Sequence, residues 1–403
     1  MMRLFINSLA ASAGGGLTYI RNVLPHLAAA PDLQATVALA PGLREEFREF
    51  TNVDFIELEI PAGRRFWFEQ VQLPDLIRRS RAEVLLSAGN FAVRNSPVPQ
   101  MLLSRNSIYT SADYYRDLLQ RHEYRTYLDT RLRAALAKRS IGWADATVAP
   151  SEAFAGELTR WTGKAVRAIH HGFDRDIFTR DASPLATEVE EKLRSAEGSL
   201  RLLFVSHYNY YRNFETLIRA LPVIREGSKG LPVKLLLTCR LLTGQNPGTY
   251  NPTGAAKLLR ELGVGDTVIE LGTIPYGQLH RVYRRADVYV TPAYTETFAH
   301  PLVEAMASGL PVVASDLAVH REICGDAASY FPRFSSEELA ERVLQVKGSQ
   351  ETAKRMATLG EERSRHFSWK RHVDELLHLS GTLVQRKRVS SFDETEPRID
   401  AMS

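Results

Sequence analysis

The chain has 403 residues, 44% hydrophobic and 24% charged, the proportions of a globular protein too long for one ordinary core, so two domains are expected. A formal net charge of +4 is too small a bias to indicate nucleic acid, and no aromatic RNP-like run or metal-finger spacing points to it either. Two distant cysteines, Cys239 and Cys324, form no CxxC pattern, and no apolar run approaches signal-peptide or membrane-span length; both features predict a soluble, cytoplasmic protein with reduced thiols.

Short apolar runs alternate with helical periodicity, the pattern of parallel sheets covered by helices and hence of an α/β fold. Residues 2–6 predict the first strand. Leu17, Ile20, Leu24 and Leu27 then recur at helical spacing, with Pro25 expected to kink or shorten the helix. Between them stands Gly14-Gly15-Gly16, where glycines let the backbone approach a ligand and leave helix N–H groups for an anion. No Lys-Ser/Thr follows, so the run is not a P-loop, and by itself it is as readily a plain loop.

Residues 83–87 and 100–104 predict buried strands, the second running into Ser104-Arg105-Asn106. Residues 114–139 read as one long basic helix carrying Arg116, Arg121, Arg125, Arg131 and Arg133. With Arg64-Arg65-Phe66-Trp67-Phe68 it makes the first half locally basic and aromatic, which suits an anionic membrane surface or a lipid-diphosphate acceptor; a solvated face with ion pairs is the plainer account. Strand-like runs at 147–151 and 165–170 lead to His171-Gly172-Phe173-Asp174, and the polar stretch 181–199 reads as the bridge between domains. A second series follows at 202–206, 233–237 and 287–290, with a Gly/Pro/Asn-rich loop at 243–253. After Trp369 a helical pattern runs to about Arg388, and 389–403 read as a disordered tail.

The most informative run is Thr295-Glu296-Thr297-Phe298-Ala299-His300-Pro301-Leu302-Val303-Glu304, ending at Gly309 and followed by a buried strand near 311–316. Pro301 suits the first helical position and Gly309 the residue that stops the helix. Glu296 then stands before the helix and Glu304 about one turn inside it, while the N–H groups of Phe298, Ala299 and His300 face the space in front. Free N–H groups at a helix start bind phosphate, and flanking carboxylates accept from sugar hydroxyls, so together they describe a nucleotide-sugar. The plainer account is a helix-dipole carboxylate and a solvated loop residue.

This run resembles the E-x7-E motif of retaining glycosyltransferases of the GT-B class, the "group 1", family 4-like enzymes. The resemblance implies two Rossmann-like domains facing a central cleft: 1–172 on the acceptor side and 173–369 on the donor side, with a helix of about 370–388 crossing back to the first. It extends to the turn at His171-Gly172-Phe173-Asp174 and to Ser206-His207-Tyr208-Asn209-Tyr210-Tyr211-Arg212, where relatives carry a Gly-Arg pair and then a Lys that neutralise the departing diphosphate. Here Ser206-His207 replaces the pair and Arg212 the Lys; a guanidinium grips two phosphate oxygens, whereas His207 helps mainly when protonated.

By the same resemblance Gly15 and Gly16 approach the donor phosphate, Thr273 and Ile274 meet the base, Glu304 the ribose and Glu296 the donor sugar. Asn106 stands where relatives often carry His or Asp; it is no base but can orient a hydroxyl, and a strand-end cap is the even alternative. Catalysis would rest on Glu296, Arg212 and Asn106 without cofactor or metal. Asp174-Arg175-Asp176 and His170-His171 imitate metal motifs, yet sit in the interdomain turn.

The implied activity is transfer of a hexose, mannose by family habit, from a GDP-, UDP- or dTDP-sugar to a saccharide, glycan or lipid-linked acceptor, with peripheral contact at the inner membrane face open. A nucleotide-sugar epimerase or phosphorylase on the same fold, and a catalytically weak nucleotide-sugar-binding subunit of a glycan-assembly complex, are the alternatives.

Overall fold

The computed structural model describes all residues except Ser12, Ala13, Pro247, Thr249 and 394–403. The chain divides into two compact units: Met1–Thr110 with Asp129–His170 and Trp369–Ser403, and Ser111–Leu128 with His171–Ser368.

The N-terminal unit holds β1 (Met2–Asn7), β2 (Leu33–Leu39), β3 (Val53–Glu57), β4 (Val84–Ser87), β5 (Gln100–Leu103), β6 (Ala146–Ala149) and β7 (Arg167–Ala168). They form one sheet in the order β3-β2-β1-β4-β5-β6-β7, every pair parallel. The C-terminal unit holds β8 (Leu200–Phe204), β9 (Val233–Leu237), β10 (Val268–Glu270), β11 (Val288–Thr291), β12 (Val312–Ser315) and β13 (Ala328–Phe331), also all parallel, in the order β10-β9-β8-β11-β12-β13. Strands such as Val84-Leu85-Leu86-Ser87 are buried at every residue, because helices cover both faces of a parallel sheet. The strand order reverses between β1 and β4 in one unit and between β8 and β11 in the other, where open α/β sheets receive ligands at the strands' carboxyl ends.

The last helix, Trp369–Asp393, belongs to the N-terminal unit. Its residues Trp369, Val373, Leu376, Leu379 and Leu383, spaced by three or four, join the core formed by Leu4, Ile6, Tyr19, Ile20 and Val23. Burying each such side chain contributes roughly 1.5–3 kcal/mol.

Several expectations need correction. The helix Gly14–Ala28 continues one turn past Pro25. The single helix expected at 114–139 is two, Ala112–Gln120 and Tyr124–Ile141, broken where His122 takes a left-handed φ of 59°. Residues 111–128 also belong to the C-terminal unit, not to a domain running unbroken from 1 to 172. The cause is an ionic and aromatic seam: Arg121 pairs with Asp117 (2.7 Å) and Glu215 (3.0 Å), and its guanidinium lies 4.3 Å from the Tyr210 ring centre. Tyr294 and Tyr210 add hydroxyl donors to Asp117 (2.8 Å) and Glu123 (2.7 Å). The stretch 181–199 is no bridge, since it contains the helix Thr187–Ser195 with Val189 and Leu193 buried in the C-terminal unit. The tail expected from 389 is helical to Asp393; its remainder lies outside the described residues.

Candidate functional site

In the C-terminal unit the loops leaving β8 and β11 meet at the switch point. After β8 a short 3-10 turn, Tyr210–Arg212, ends at Asn213, which is left-handed (φ 56°, ψ 46°), a conformation asparagine tolerates better than most residues. Its side-chain amide donates to the Pro292 (3.0 Å) and Arg333 (2.8 Å) carbonyls, and its oxygen accepts from Thr216 Oγ1 (2.9 Å). The N–H of Tyr294 donates to the Tyr211 carbonyl (3.0 Å). The two loops are thus laced together on either side of Arg212.

Arg212 forms an ion pair with Glu296, their side chains 21% and 9% exposed. Its guanidinium also lies over the Tyr211 ring at 5.4 Å. The resemblance gave these two residues separate tasks; the structure joins them, with the carboxylate holding the cation in place. Glu296 Oε2 further accepts from the Thr297 N–H (3.3 Å).

The helix His300–Ala307 begins directly behind this pair. Its cap, Ala299, is left-handed (φ 63°, ψ 62°), at a cost of about 1–2 kcal/mol for a residue with a Cβ. Among the described residues the N–H groups of Phe298 and Ala299 meet no protein acceptor. The strained turn therefore presents them, with the helix dipole behind, to an anion. Packed rings hold the turn: His300 stacks on His171 at 5.2 Å, and Phe298 lies 4.8 Å from His300 and 5.3 Å from Phe367. His171 is accordingly part of this turn's support and not merely a polar linker residue. Gly309, at φ 72°, stops the helix as expected.

Glu304 is buried, accepts from the Tyr283 hydroxyl (2.8 Å), and is pushed up to about 7 by burial. Around neutrality it is split between carboxylate and acid, so it can both accept from and donate to a ligand hydroxyl. Ser206 turns inward: its N–H donates to Thr238 Oγ1 (3.0 Å) and its hydroxyl to the His207 carbonyl (2.7 Å). His207 is held below its ordinary value by burial and then by Arg212, so at neutral pH it adds no charge beside that cation. Thr273 and Ile274 follow edge strand β10, two strands from β8; Thr273 is exposed and Ile274 buried.

In the N-terminal unit, Gly15 and Gly16 open the helix Gly14–Ala28. A Cβ on Gly16 would meet Ala11 Cα at 3.1 Å, whereas Gly15 is exposed with open space before it. Asn106 caps the turn Ser107–Tyr109 through its side-chain oxygen, which accepts from the Ile108 N–H (3.4 Å); this is the cap anticipated beside its hydroxyl-orienting role. Asp174 likewise caps the helix Arg175–Thr179.

Sequence reasoning passed over Tyr283, His320 and Arg105. His320 is fully buried and near enough to Arg212 to feel its charge, with Nδ1 2.8 Å from the Ser315 carbonyl, and is pushed down to about 4 chiefly by burial. Tyr283 has no local signal, since it acts through Glu304, and the bearing of His320 on Arg212 shows only in the folded chain. Arg105 stands beside Asn106, but only the folded chain shows where its long side chain reaches.

Residues 186–363 match the family model "Glycosyl transferases group 1", and residues 13–177 match "Glycosyltransferase Family 4". D-inositol 3-phosphate glycosyltransferase of Saccharomonospora viridis is 27% identical over 277 residues, 66% of this chain and 61% of that protein. The enzyme of the same name from Salinispora arenicola is 29% identical over 272 residues, 64% and 59% of the two chains. The chain thus spans about three fifths of the length of these curated relatives. Among solved structures, sucrose-phosphate synthase of Thermosynechococcus elongatus superposes with a TM-score of 0.72 at 18% identity, covering 96% of this chain and 100% of the other. HepE of Anabaena in complex with UDP-glucose gives 0.70 at 17%, covering 95% and 100%. At these identities the structures establish the GT-B class of fold, and with both family models matched the chain belongs to the group 1 glycosyltransferases with a family 4 N-terminal domain.

Proposed function

We propose that the chain transfers a hexose, with retention, from a nucleoside diphosphate-sugar to a saccharide, glycan or lipid-linked acceptor, without a metal. The observation that carries this reading is the Arg212–Glu296 pair at the β8/β11 switch, set before the strained start of the helix His300–Ala307. Departure of a nucleoside diphosphate puts negative charge on phosphate oxygens as the anomeric carbon becomes cationic. Fixed donors aimed at that charge supply much of such a rate enhancement, and Arg212 with the Phe298 and Ala299 N–H groups are fixed donors. Glu296 keeps Arg212 oriented and offers its second oxygen to a sugar hydroxyl. Glu304 suits the ribose hydroxyls because burial leaves it both acceptor and donor. The acceptor's hydroxyl proton passes to the departing phosphate oxygen, so no side-chain base is required and the capping role of Asn106 is compatible.

The names of similar proteins bear on the donor. HepE was solved with UDP-glucose, which moves UDP-hexoses ahead of the GDP-mannose suggested by family habit. Among the described residues no helix is long and apolar enough to cross a membrane, but Trp67 and Val71 are 55% and 53% exposed beside Arg64, which supports peripheral contact of the N-terminal unit with an anionic bilayer. The second reading, a weakly active nucleotide-sugar-binding subunit, is favoured by one observation at the Ser206-His207 pair: the Ser206 hydroxyl is spent on the His207 carbonyl (2.7 Å), and burial holds His207 below its ordinary value.

Calorimetric titration with UDP, GDP, dTDP and ADP, followed by acceptor-free hydrolysis of the matching hexose donor watched by proton NMR, tests the assignment. Binding of one nucleotide and first release of the donor's own anomer are expected. Binding of none of the four overturns the proposal, and tight binding with no hydrolysis or transfer selects the second reading.

A further inference from the structure

The N-terminal unit has its own switch point, between β1 and β4, and Arg105 lies across it. Its backbone N–H donates to Asn90 Oδ1 (2.6 Å), joining the turn after β5 to the one after β4. Its guanidinium donates to the Gly15 carbonyl (3.0 Å) in the first turn of the helix Gly14–Ala28 and to the Ala88 carbonyl (2.8 Å) at the end of β4. One planar fork therefore ties together the turns that follow three neighbouring strands. The walls approach closely here: a Cβ on Gly89 would stand 3.0 Å from the Ala10 Cβ.

Arg105 is itself backed by a chain of contacts. Its guanidinium lies 4.7 Å from the centre of the Tyr19 ring, and the Tyr19 hydroxyl meets His372 Nε2 at 3.1 Å. His372 Nδ1 lies 2.8 Å from the His170 carbonyl. A carbonyl only accepts, so Nδ1 carries the proton, Nε2 is the acceptor, and the Tyr19 hydroxyl donates to it. Burial holds His372 down at about 4, which keeps this tautomer uncharged at neutral pH. His170 and Trp369, where the chain leaves and re-enters this unit, flank that link. Among the described residues no carboxylate pairs with Arg105, so nothing competes for its fork.

We propose that Arg105 is a positioning residue that sets the glycine-rich start of the helix Gly14–Ala28 for catalysis, with Tyr19 and His372 as its brace. This rests on the glycosyl-transfer reading and on the part that the family resemblance gives to Gly15 and Gly16, approach to the donor phosphate. Charge alone is not the point: a lysine keeps the charge but replaces a rigid fork with a single flexible ammonium. Loss of loop placement by about 1 Å can cost roughly 100-fold in rate without loss of nucleotide binding.

The test compares Arg105→Ala, Arg105→Lys and Tyr19→Phe in the full chain, reading kcat, nucleotide Kd by calorimetry, and deuterium uptake of the backbone amides at 15–18. Expected are a fall in kcat of roughly 100-fold for Arg105→Ala with nucleotide Kd held within about twofold, poor rescue by lysine, and faster exchange at 15–18. Tyr19→Phe, which keeps the ring but loses the hydroxyl, gives a smaller change in the same direction and serves if Arg105→Ala does not fold. Unchanged kcat and exchange in a folded Arg105→Ala variant overturn the proposal, as does full rescue by lysine. A wild-type chain that binds no nucleotide defeats the functional reading instead, while the exchange data still report on the loop.

Discussion

Arg212 and Glu296 come from loops that follow adjacent parallel strands and close into an ion pair over the switch point of their sheet. A diphosphate arriving there competes with Glu296 for the same guanidinium. In Glu296→Gln the cation is released and a nearby negative charge removed. UDP, or whichever diphosphate the titration selects, should then bind several-fold more tightly, while transfer falls by roughly 100-fold for want of an oriented Arg212. Calorimetry and initial rates on the same preparation decide it. Weaker diphosphate binding in Glu296→Gln would mean that the carboxylate does not restrain the cation.

Glu304 provides a stability signature that needs no substrate. Its folded-state value, about 7, lies above the ordinary 4.5, so between these pH values the folded chain holds a proton that the unfolded chain has lost. Stability from this site is therefore full below about 4.5, falls as pH rises through that window, and stays low above 7. Glu304→Gln cannot ionise, yet still accepts from the Tyr283 hydroxyl. It should be more stable than the parent at pH 8, by at most on the order of 3 kcal/mol, and close to it at pH 4.5. Urea unfolding at the two pH values measures the difference; an equal gap at both would show that burial does not control this carboxylate.

The fold was legible where hydrophobic runs were unbroken. β4, β5, β9 and β12 stand within a residue or two of their expected places because both faces of each strand are buried. β2, β3 and β13 escaped notice: Leu33-Gln34-Ala35-Thr36 and Val53-Asp54-Phe55 interleave polar residues, as suits strands near an edge. The motif around Glu296 showed its helix, its stop at Gly309 and its carboxylates. It did not show that Ala299 would adopt a left-handed turn or that Glu296 would engage Arg212, because the turn rests on His171 and Phe367 and the carboxylate on Arg212, all distant in sequence. Asn106 was open in the sequence for a related reason: a polar residue at a strand end looks alike whether it faces a ligand or caps the next turn.

The left-handed Ala299 makes its own prediction. Ala299→Gly removes the Cβ penalty at φ 63° but adds freedom to the unfolded chain, so the net gain should be roughly 0.5–1 kcal/mol. The same substitution loosens the turn that presents the Phe298 and Ala299 N–H groups. Diphosphate affinity should therefore fall modestly while the melting temperature rises. A variant that is both less stable and tighter-binding would show that the turn is not strained.

The proposed membrane contact rests on Trp67 and Val71, which are exposed on the helix Arg65–Val71 with Arg64 immediately before it. Apolar side chains that contribute nothing to the core are available to enter a headgroup layer, and arginines beside them add attraction to anionic lipid. The full chain should co-float with vesicles of mixed phosphatidylglycerol and phosphatidylcholine at low salt, and less so as salt screens the arginines. The double variant Trp67→Ser/Val71→Ser should lose most of this binding yet keep its melting temperature within about 1 °C, since surface changes seldom exceed 0.5 kcal/mol. Retained flotation in that variant would place the contact elsewhere on the chain, and flotation with purely zwitterionic vesicles would remove the arginines from the account.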